Sequence, residues 1–375
     1  AETFVLLKNE GNLLPLKKQG KIALIGPLAD TRNNIAGTWS VAQAPEKYTT
    51  IKEAMEKALD GKATLLYAQG SNIWRNHELQ KNGELGKSIA WGDEVKMKNE
   101  ALQIAKEADV IICAMGETAD MSGECASRTN LEMPDVQQEL LAELAKTGKP
   151  VVLLNFAGRP TVLSWENEHI PAIMNVWFGG SEVGDALCDV IFGDKLPSGK
   201  LTTSMPKTTG QEPLYYNHQN TGRPVPDDNE KFAKFASNCL DVSNGPLYPF
   251  GYGLSYTTFE YGDLKLSSHE VNMDDWKITA TINVKNTGSR DADEIVQLYI
   301  RDMVASISRP VKELKGFQRI HLAAGESREI SFNITPEMLK FYNAELKHVI
   351  EPGDFQIMVG GNSKEVKTQN LTVKN

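Results

Sequence analysis

No stretch of this sequence stays apolar for the roughly 18 residues that a membrane-crossing helix needs, so no membrane partner is expected. Positive charge is also short. The chain has 40 Lys and Arg against 49 Asp and Glu, for a formal net charge of -9. Without a basic block, nucleic acid is not an expected partner either. Cysteine is scarce and scattered: Cys113, Cys125, Cys188 and Cys239 form no CxxC pair and no Cys/His cluster. The six histidines fall in no HExxH or other ligand spacing. The pattern therefore indicates no metal site and no cofactor, and the four thiols are read as free. An initiator Met and a signal peptide are missing too. The opening AETFVLLKNEGNLLPLKKQGKIALIG reads instead as a helix already under way, ended by Gly11 and Asn12, and the chain is expected to be a piece of a longer protein.

Two motifs fail on inspection. In GELGKS (83–88) only Glu84 and Leu85 separate Gly83 from Gly86, whereas a phosphate loop needs four residues between its glycines. In GGSEVG (179–184) Val183 stands where a nucleophile elbow needs its second glycine. Ser181 is accordingly read as the cap of the helix that follows.

What is present is a chain of 375 residues, 41% hydrophobic and 24% charged, enough for two or three domains with ordinary cores. Over 1–207, continuous apolar runs (KIALIG, ATLLYA, ADVIICAMG, PVVLLNFAG and PAIMNVWFGG) alternate with helical patterns. Continuous runs suit strands covered on both faces, and the alternation predicts a doubly wound α/β sandwich domain. PDVQQELLAELAKTG (134–148) is a clear helix, with Pro134 in its first turn, Gly148 at its C-cap, and Val136, Leu140, Leu141 and Leu144 in one stripe. From 208 to 258 the sequence is polar, broken by Pro and Gly, and reads as an irregular linker. From 259 to 375 the period changes to two: Trp276, Ile278, Ala280, Ile282 and Val284 share one face, and three later runs repeat the alternation. This predicts an all-β sandwich of the fibronectin or immunoglobulin kind.

In doubly wound sheets the functional loops lie beyond the carboxyl ends of the strands. One such loop, GETADMSGECASRTNLEMP (116–134), carries Glu117, Asp120, Glu124 and Glu132. Either one of these carboxylates moves a proton, or the loop is a solvated acidic surface whose acids cap the helix after Pro134. Glu132 belongs with the second alternative, because it precedes the helix and suits its N-terminal dipole.

Three further stretches turn the balance. GDALCDVIFGDKLPSGKLTTSMP (184–206), YPFGYGLSYTTFEY (248–261) and ISRPVKELKGFQRIHLAAGESREISFNIT (307–335) closely resemble glycoside hydrolase family 3, mostly β-glucosidases and β-xylosidases. FVLLKNEGNLLPL (4–16) resembles the point where that family's chain leaves its first domain, and the likeness spans essentially the whole sequence. It implies a (β/α)8 barrel that is not in this chain, then the α/β sandwich, then a fibronectin-III-like domain. It also implies a retaining exo-acting β-glycosidase for β-linked oligosaccharides or glycosides, periplasmic or secreted. In that mechanism an Asp on the barrel attacks the sugar carbon, and a Glu of the second domain protonates the leaving oxygen and then activates water. The Asp has no counterpart in this sequence. The family's Gly-Glu, short insertion, second Glu and Ser-Arg-Thr match Gly116-Glu117, Thr118 to Gly123, Glu124 and Ser127-Arg128-Thr129. The resemblance thus puts the acid/base at Glu124, with Glu117 as the fallback, and leaves Asp120 and Arg128 as either substrate-binding rim residues or loop-ordering ones. Cys125 departs from the small residue expected beside the acid/base. A non-catalytic carbohydrate-binding or scaffold protein is the competing reading.

Overall fold

The computed structural model describes residues 1 to 375 apart from 41, 83–85, 87, 230 and 274–275, so GELGKS lies largely outside the described residues. The chain forms two compact units, 1–199 with 206–210, and 200–205 with 211–375. From 211 onward, the segment read from the sequence as a linker is part of the second unit.

The first unit contains, in chain order, β1 (Val5–Asn9), β2 (Lys21–Ile25), α1 (Ile51–Leu59), β3 (Thr64–Ala68), α2 (His77–Asn82), α3 (Glu94–Glu107), β4 (Val110–Gly116), α4 (Asp135–Ala145), β5 (Val151–Phe156), α5 (Ser164–His169), β6 (Ala172–Asn175) and α6 (Val183–Ile191). Its sheet runs β1-β6-β5-β4-β2-β3. The five strands from β2 to β6 are parallel. Every residue of β5 and β6 is buried. Successive side chains of a strand point to opposite faces, so both faces are covered. In α4 the apolar stripe of Val136, Leu140, Leu141 and Leu144 is buried, and Gly148 follows the helix in the left-handed region at φ 73.

Two local expectations are corrected. The opening is a strand, not the end of a helix: β1 pairs antiparallel with β6, Val5 opposite Asn175 and Asn9 opposite Ala172. Val5, Leu6 and Leu7 are all at most 1% exposed. Three consecutive buried apolar side chains need cover on both sides, which an edge strand under helices provides and a single helical turn does not. Gly11 (φ 61) and Asn12 (φ 53) do punctuate the chain, but as the turn that follows the strand. Ser181 is exposed and does not cap α6. The N-cap position is Glu182, without a side-chain cap, and the Val183 N–H is satisfied by the Gly180 carbonyl at 3.1 Å.

The second unit is a β-sandwich preceded by irregular chain. Its strands are β7 (Phe259–Tyr261), β8 (Lys265–Leu266), β9 (Glu270–Asn272), β10 (Ile278–Asn286), β11 (Ala292–Asp302), β12 (Glu313–Leu322), β13 (Ser327–Ile334), β14 (Phe341–Tyr342), β15 (His348–Val349), β16 (Gly353–Gly360) and β17 (Val366–Lys374). One sheet runs β13-β10-β7, with β8 also on β10, and the other runs β12-β11-β16-β17-β9. Along β10, Ile278, Ala280, Ile282 and Val284 are buried while Asn283 and Lys285 are exposed. They share one core with Val296, Leu298, Ile330, Phe332, Ile357 and Val359 from the other strands.

Candidate active site

The acidic loop begins at a backbone position that only glycine fits. Gly116, the last residue of β4, has φ 127, and a Cβ there would stand 2.1 Å from the Phe156 carbonyl oxygen. This close approach lets the Glu117 N–H donate to that same carbonyl at 2.7 Å, locking the loop to the end of β5. From below, the fully buried Gln137 of α4 clamps the position: its Nε2 donates to the Gly116 carbonyl at 3.0 Å and its Oε1 accepts from the Gly116 N–H at 2.8 Å.

The Glu117 side chain turns inward and is 1% exposed. Arg128 Nη1 lies 2.8 Å from its Oε1, Arg159 Nε lies 3.1 Å from the same oxygen, and the Gly158 N–H donates to Oε2 at 3.2 Å. A buried carboxylate needs this full set of partners, since each lone pair left without one is costly. Both arginines also donate to the loop itself, while Arg128 Nε is buried without a hydrogen-bond partner among the described residues. Arg128 Nη2 donates to the Glu132 carbonyl at 2.8 Å, and Arg159 Nη2 to the Ala126 carbonyl at 2.7 Å and to that of Met121. Arg128 also lies over the Trp74 ring, 5.6 Å from its centroid. Glu117, Arg128 and Arg159 thus form a buried knot that ties both limbs of the loop.

Beyond the knot is the tip. Ala126 N–H donates to the Gly123 carbonyl at 3.3 Å, closing a turn with Glu124 and Cys125 at its centre. Cys125 has φ 59, the left-handed conformation that the second central residue of such a turn takes. Thr38, on the loop after β2, donates through Oγ1 to the Ser122 carbonyl at 2.8 Å and to that of Ala119, so the base of the tip is held from the side as well. Glu124 is exposed, and among the described residues its carboxylate has no hydrogen-bond or ion-pair partner. The outcome is an acid carried on a fixed turn with its oxygens left available.

The other candidates fall into place around this tip. Asp120 is exposed, on a short 3-10 turn at 119–121. Arg128 is held in the knot by Glu117 and the Glu132 carbonyl. Glu132 accepts from Asn130 Nδ2 at 3.2 Å. The loop acids do not cap α4, whose N-cap position is Pro134 with no side-chain cap. All four cysteines are free, Cys125 and Cys239 exposed, Cys113 and Cys188 buried. Burial pushes the Cys113 thiol far above its ordinary range, and burial, with Asp185 adding to it, pushes Cys188 up to about 12. Among the described residues no group of three His, Cys, Asp or Glu is placed to hold a metal ion.

Sequence reasoning missed Arg159, Gln137 and Trp39. Gly158-Arg159 directly follows the apolar run of β5, at the carboxyl end where site residues gather, and that position was the available signal. Trp39, 70% exposed, follows Thr38 and so stands beside the residue that holds the acid tip.

Comparison with known proteins places these elements in a family. Residues 4–256 match the glycosyl hydrolase family 3 C-terminal domain, and residues 294–363 match the fibronectin type III-like domain. The chain is 45% identical over 369 residues to a periplasmic beta-glucosidase of Salmonella typhimurium, covering 98% of this chain and 48% of that protein. It is 37% identical to a beta-xylosidase of Formosa agariphila, covering 100% of this chain and 49% of that one. A crystal structure of the beta-glucosidase from Listeria innocua in complex with glucose superposes with a TM-score of 0.87 at 35% identity, covering 99% of this chain and 48% of that one. The chain therefore spans about half the length of the relatives it matches.

Proposed function

This chain belongs to glycosyl hydrolase family 3, and we propose that it is the C-terminal part of a retaining, exo-acting β-glycosidase of the β-glucosidase kind, with Glu124 as its general acid/base. The observation that carries this reading is the contrast between the two glutamates of one loop. Glu117 is buried and fully occupied by two guanidiniums and an amide, so it has no free oxygen to offer a substrate. Glu124 is exposed on a turn that the same knot holds in place. A general acid has to reach the leaving-group oxygen, give up its proton, and then take one from water, which calls for an accessible carboxyl on a fixed support.

The second carboxylate of a retaining mechanism, the nucleophile, is on this reading an Asp of a (β/α)8 barrel outside these 375 residues. The barrel would hold the terminal β-linked sugar and Glu124 would close over the scissile bond. The names of the relatives support a glycoside as substrate, and the Salmonella protein's name supports a periplasmic setting. With one of two required carboxylates, the 375-residue chain alone is expected to hydrolyse no aryl β-glycoside.

The test uses the whole enzyme carrying Glu124→Ala. Aryl glycosides with a good phenolate leaving group should still form the glycosyl-enzyme, because that step needs no proton. Disaccharides and alkyl glycosides should lose about 10²–10⁴-fold, the usual worth of a general acid. Azide, which needs no deprotonation, should restore turnover and yield a β-glycosyl azide. An unchanged leaving-group dependence without azide rescue would remove Glu124 from the role.

A further inference from the structure

In the first unit a cleft of about 460 Å³ lies against α4 and α5, lined among others by Glu132, Glu139, Val162, Trp165, Glu166 and Lys207. Glu166 is unusual there. It is 2% exposed, and its Oε1 is buried with no hydrogen-bond partner among the described residues. A buried carboxyl oxygen without a donor is costly, and each such group calls for an explanation. Two more carboxylates, Glu132 at the end of the acid loop and Glu139 on α4, line the same cleft with the cation Lys207, and Glu139 is also paired with Arg75 at 2.8 Å. The other walls mix polar Gln138 and Ser164 with apolar Ala142, Val162 and the partly exposed indole of Trp165, which stacks on His169 with ring centroids 4.5 Å apart.

A carboxyl short of a donor, an excess of negative charge and an apolar wall describe a site for a cation with a hydrocarbon stem. The acids are not close enough together to act as a metal cage among the described residues. We propose that this cleft binds an alkylammonium group, whose N–H groups satisfy Glu166 while its stem lies along Trp165. The same chemistry comes from two sources, a free alkylamine or the side chain of a lysine on another polypeptide segment.

Burial pushes the Glu166 carboxyl up to about 7; its own backbone N–H opposes the rise and Glu132 adds to it. An ammonium pairs with the ionised form, so below about 7 a proton must leave before the ligand binds. The charged or titratable groups named near Glu166 are Glu132, Glu139 and Lys207 lining the cleft, Arg75 paired with Glu139, and Glu168 and His169 on its own helix. Ordinary surface carboxylates stay ionised between pH 6 and 8, so binding to them would show no pH dependence in that window.

The experiment is calorimetric titration of the 375-residue chain with n-butylammonium chloride, and separately with a short peptide bearing one lysine, at pH 6, 7 and 8. Saturable binding that weakens about tenfold per pH unit below pH 7 and levels off above it is expected. Glu166→Gln should weaken binding at pH 8 by about tenfold or more and abolish the pH profile. Glu166→Asp, which keeps the acid but shortens its reach, should weaken binding and keep the profile. A preference for the peptide marks a polypeptide source, and equal binding marks a small amine. No saturable binding at pH 8, a flat profile in the unsubstituted chain, or a profile that persists in Glu166→Gln each overturns the proposal.

Discussion

Arg128 Nη1 meets Glu117 Oε1 at 2.8 Å, with the carboxylate 1% exposed and the arginine side chain 10% exposed. Seven residues after Glu117 the same loop presents Glu124 to solvent. The two glutamates therefore make opposite predictions. Removing Glu117 leaves the partly buried Arg128 and Arg159, 10% and 19% exposed, without their counter-charge, and breaking a buried pair costs about 3–5 kcal/mol. Glu117→Ala should lose stability on that scale in urea unfolding of the 375-residue chain. Glu124→Ala, which removes no side-chain hydrogen bond or ion pair among the described residues, should stay within about 0.5 kcal/mol. Comparable losses in both would show that Glu124 also holds the loop together and would remove the distinction on which its catalytic assignment rests.

The thiols report on the same loop from a different direction. Exposed Cys125 and Cys239 should alkylate with a maleimide in the native chain, whereas Cys113 and Cys188 should react only in denaturant, being buried with thiols pushed upward by that burial. Intact-mass spectrometry should show two adducts before unfolding and four after. In the whole enzyme, an adduct on Cys125 stands next to Glu124 and should lower activity, and Cys125→Ser should protect against that loss. Native labelling of Cys113, on β4 beneath the loop, would contradict the packing described.

Trp39 gives a binding prediction. Its indole is 70% exposed and follows Thr38, whose hydroxyl holds the carbonyl of Ser122, two residues before Glu124. Sugar rings stack on such exposed aromatic faces through their apolar C–H side. In the whole enzyme Trp39→Ala should raise KM for disaccharides by about tenfold, the equivalent of about 1.4 kcal/mol, with kcat for aryl glycosides little changed. An equal effect on both parameters for both substrates would instead assign Trp39 to holding the loop.

Most of the architecture was legible because it rests on local period. Runs such as VIICAMG and VVLLNF are buried on both faces of a strand, and the alternation of ITATINV leaves one face for a sandwich core. The opening was misread because FVLL offers too few residues to set a period, and β1 is defined by its distant partner β6. Within the candidate site, the motif around Glu124 is what singled it out in the sequence. What made the motif work was not legible: Arg159 is 42 residues from Glu117 and Thr38 is 84 from Ser122, so no local pattern could announce either contact. The failed cap at Ser181 has a similar origin, since the backbone carbonyl of Gly180 had already taken the N–H that a hydroxyl would serve.

Glu166 adds a dependence on pH that the exposed acids do not. Its folded-state carboxyl is raised from the ordinary 4.5 to about 7, chiefly by burial. The native chain therefore binds more protons than the unfolded chain between those two values, and stability must fall as pH rises through that window. The contribution is fully present below about 4.5 and lost above about 7. A rise of this size corresponds to about 3 kcal/mol. Urea midpoints measured from pH 4.5 to 7.5 should decline in the unsubstituted chain by more than in Glu166→Gln, which carries no ionisable group there and should be the more stable of the two at pH 7.5. Parallel curves for the two chains would mean that Glu166 is already satisfied in the folded protein, and the orphan oxygen in its cleft would need another explanation.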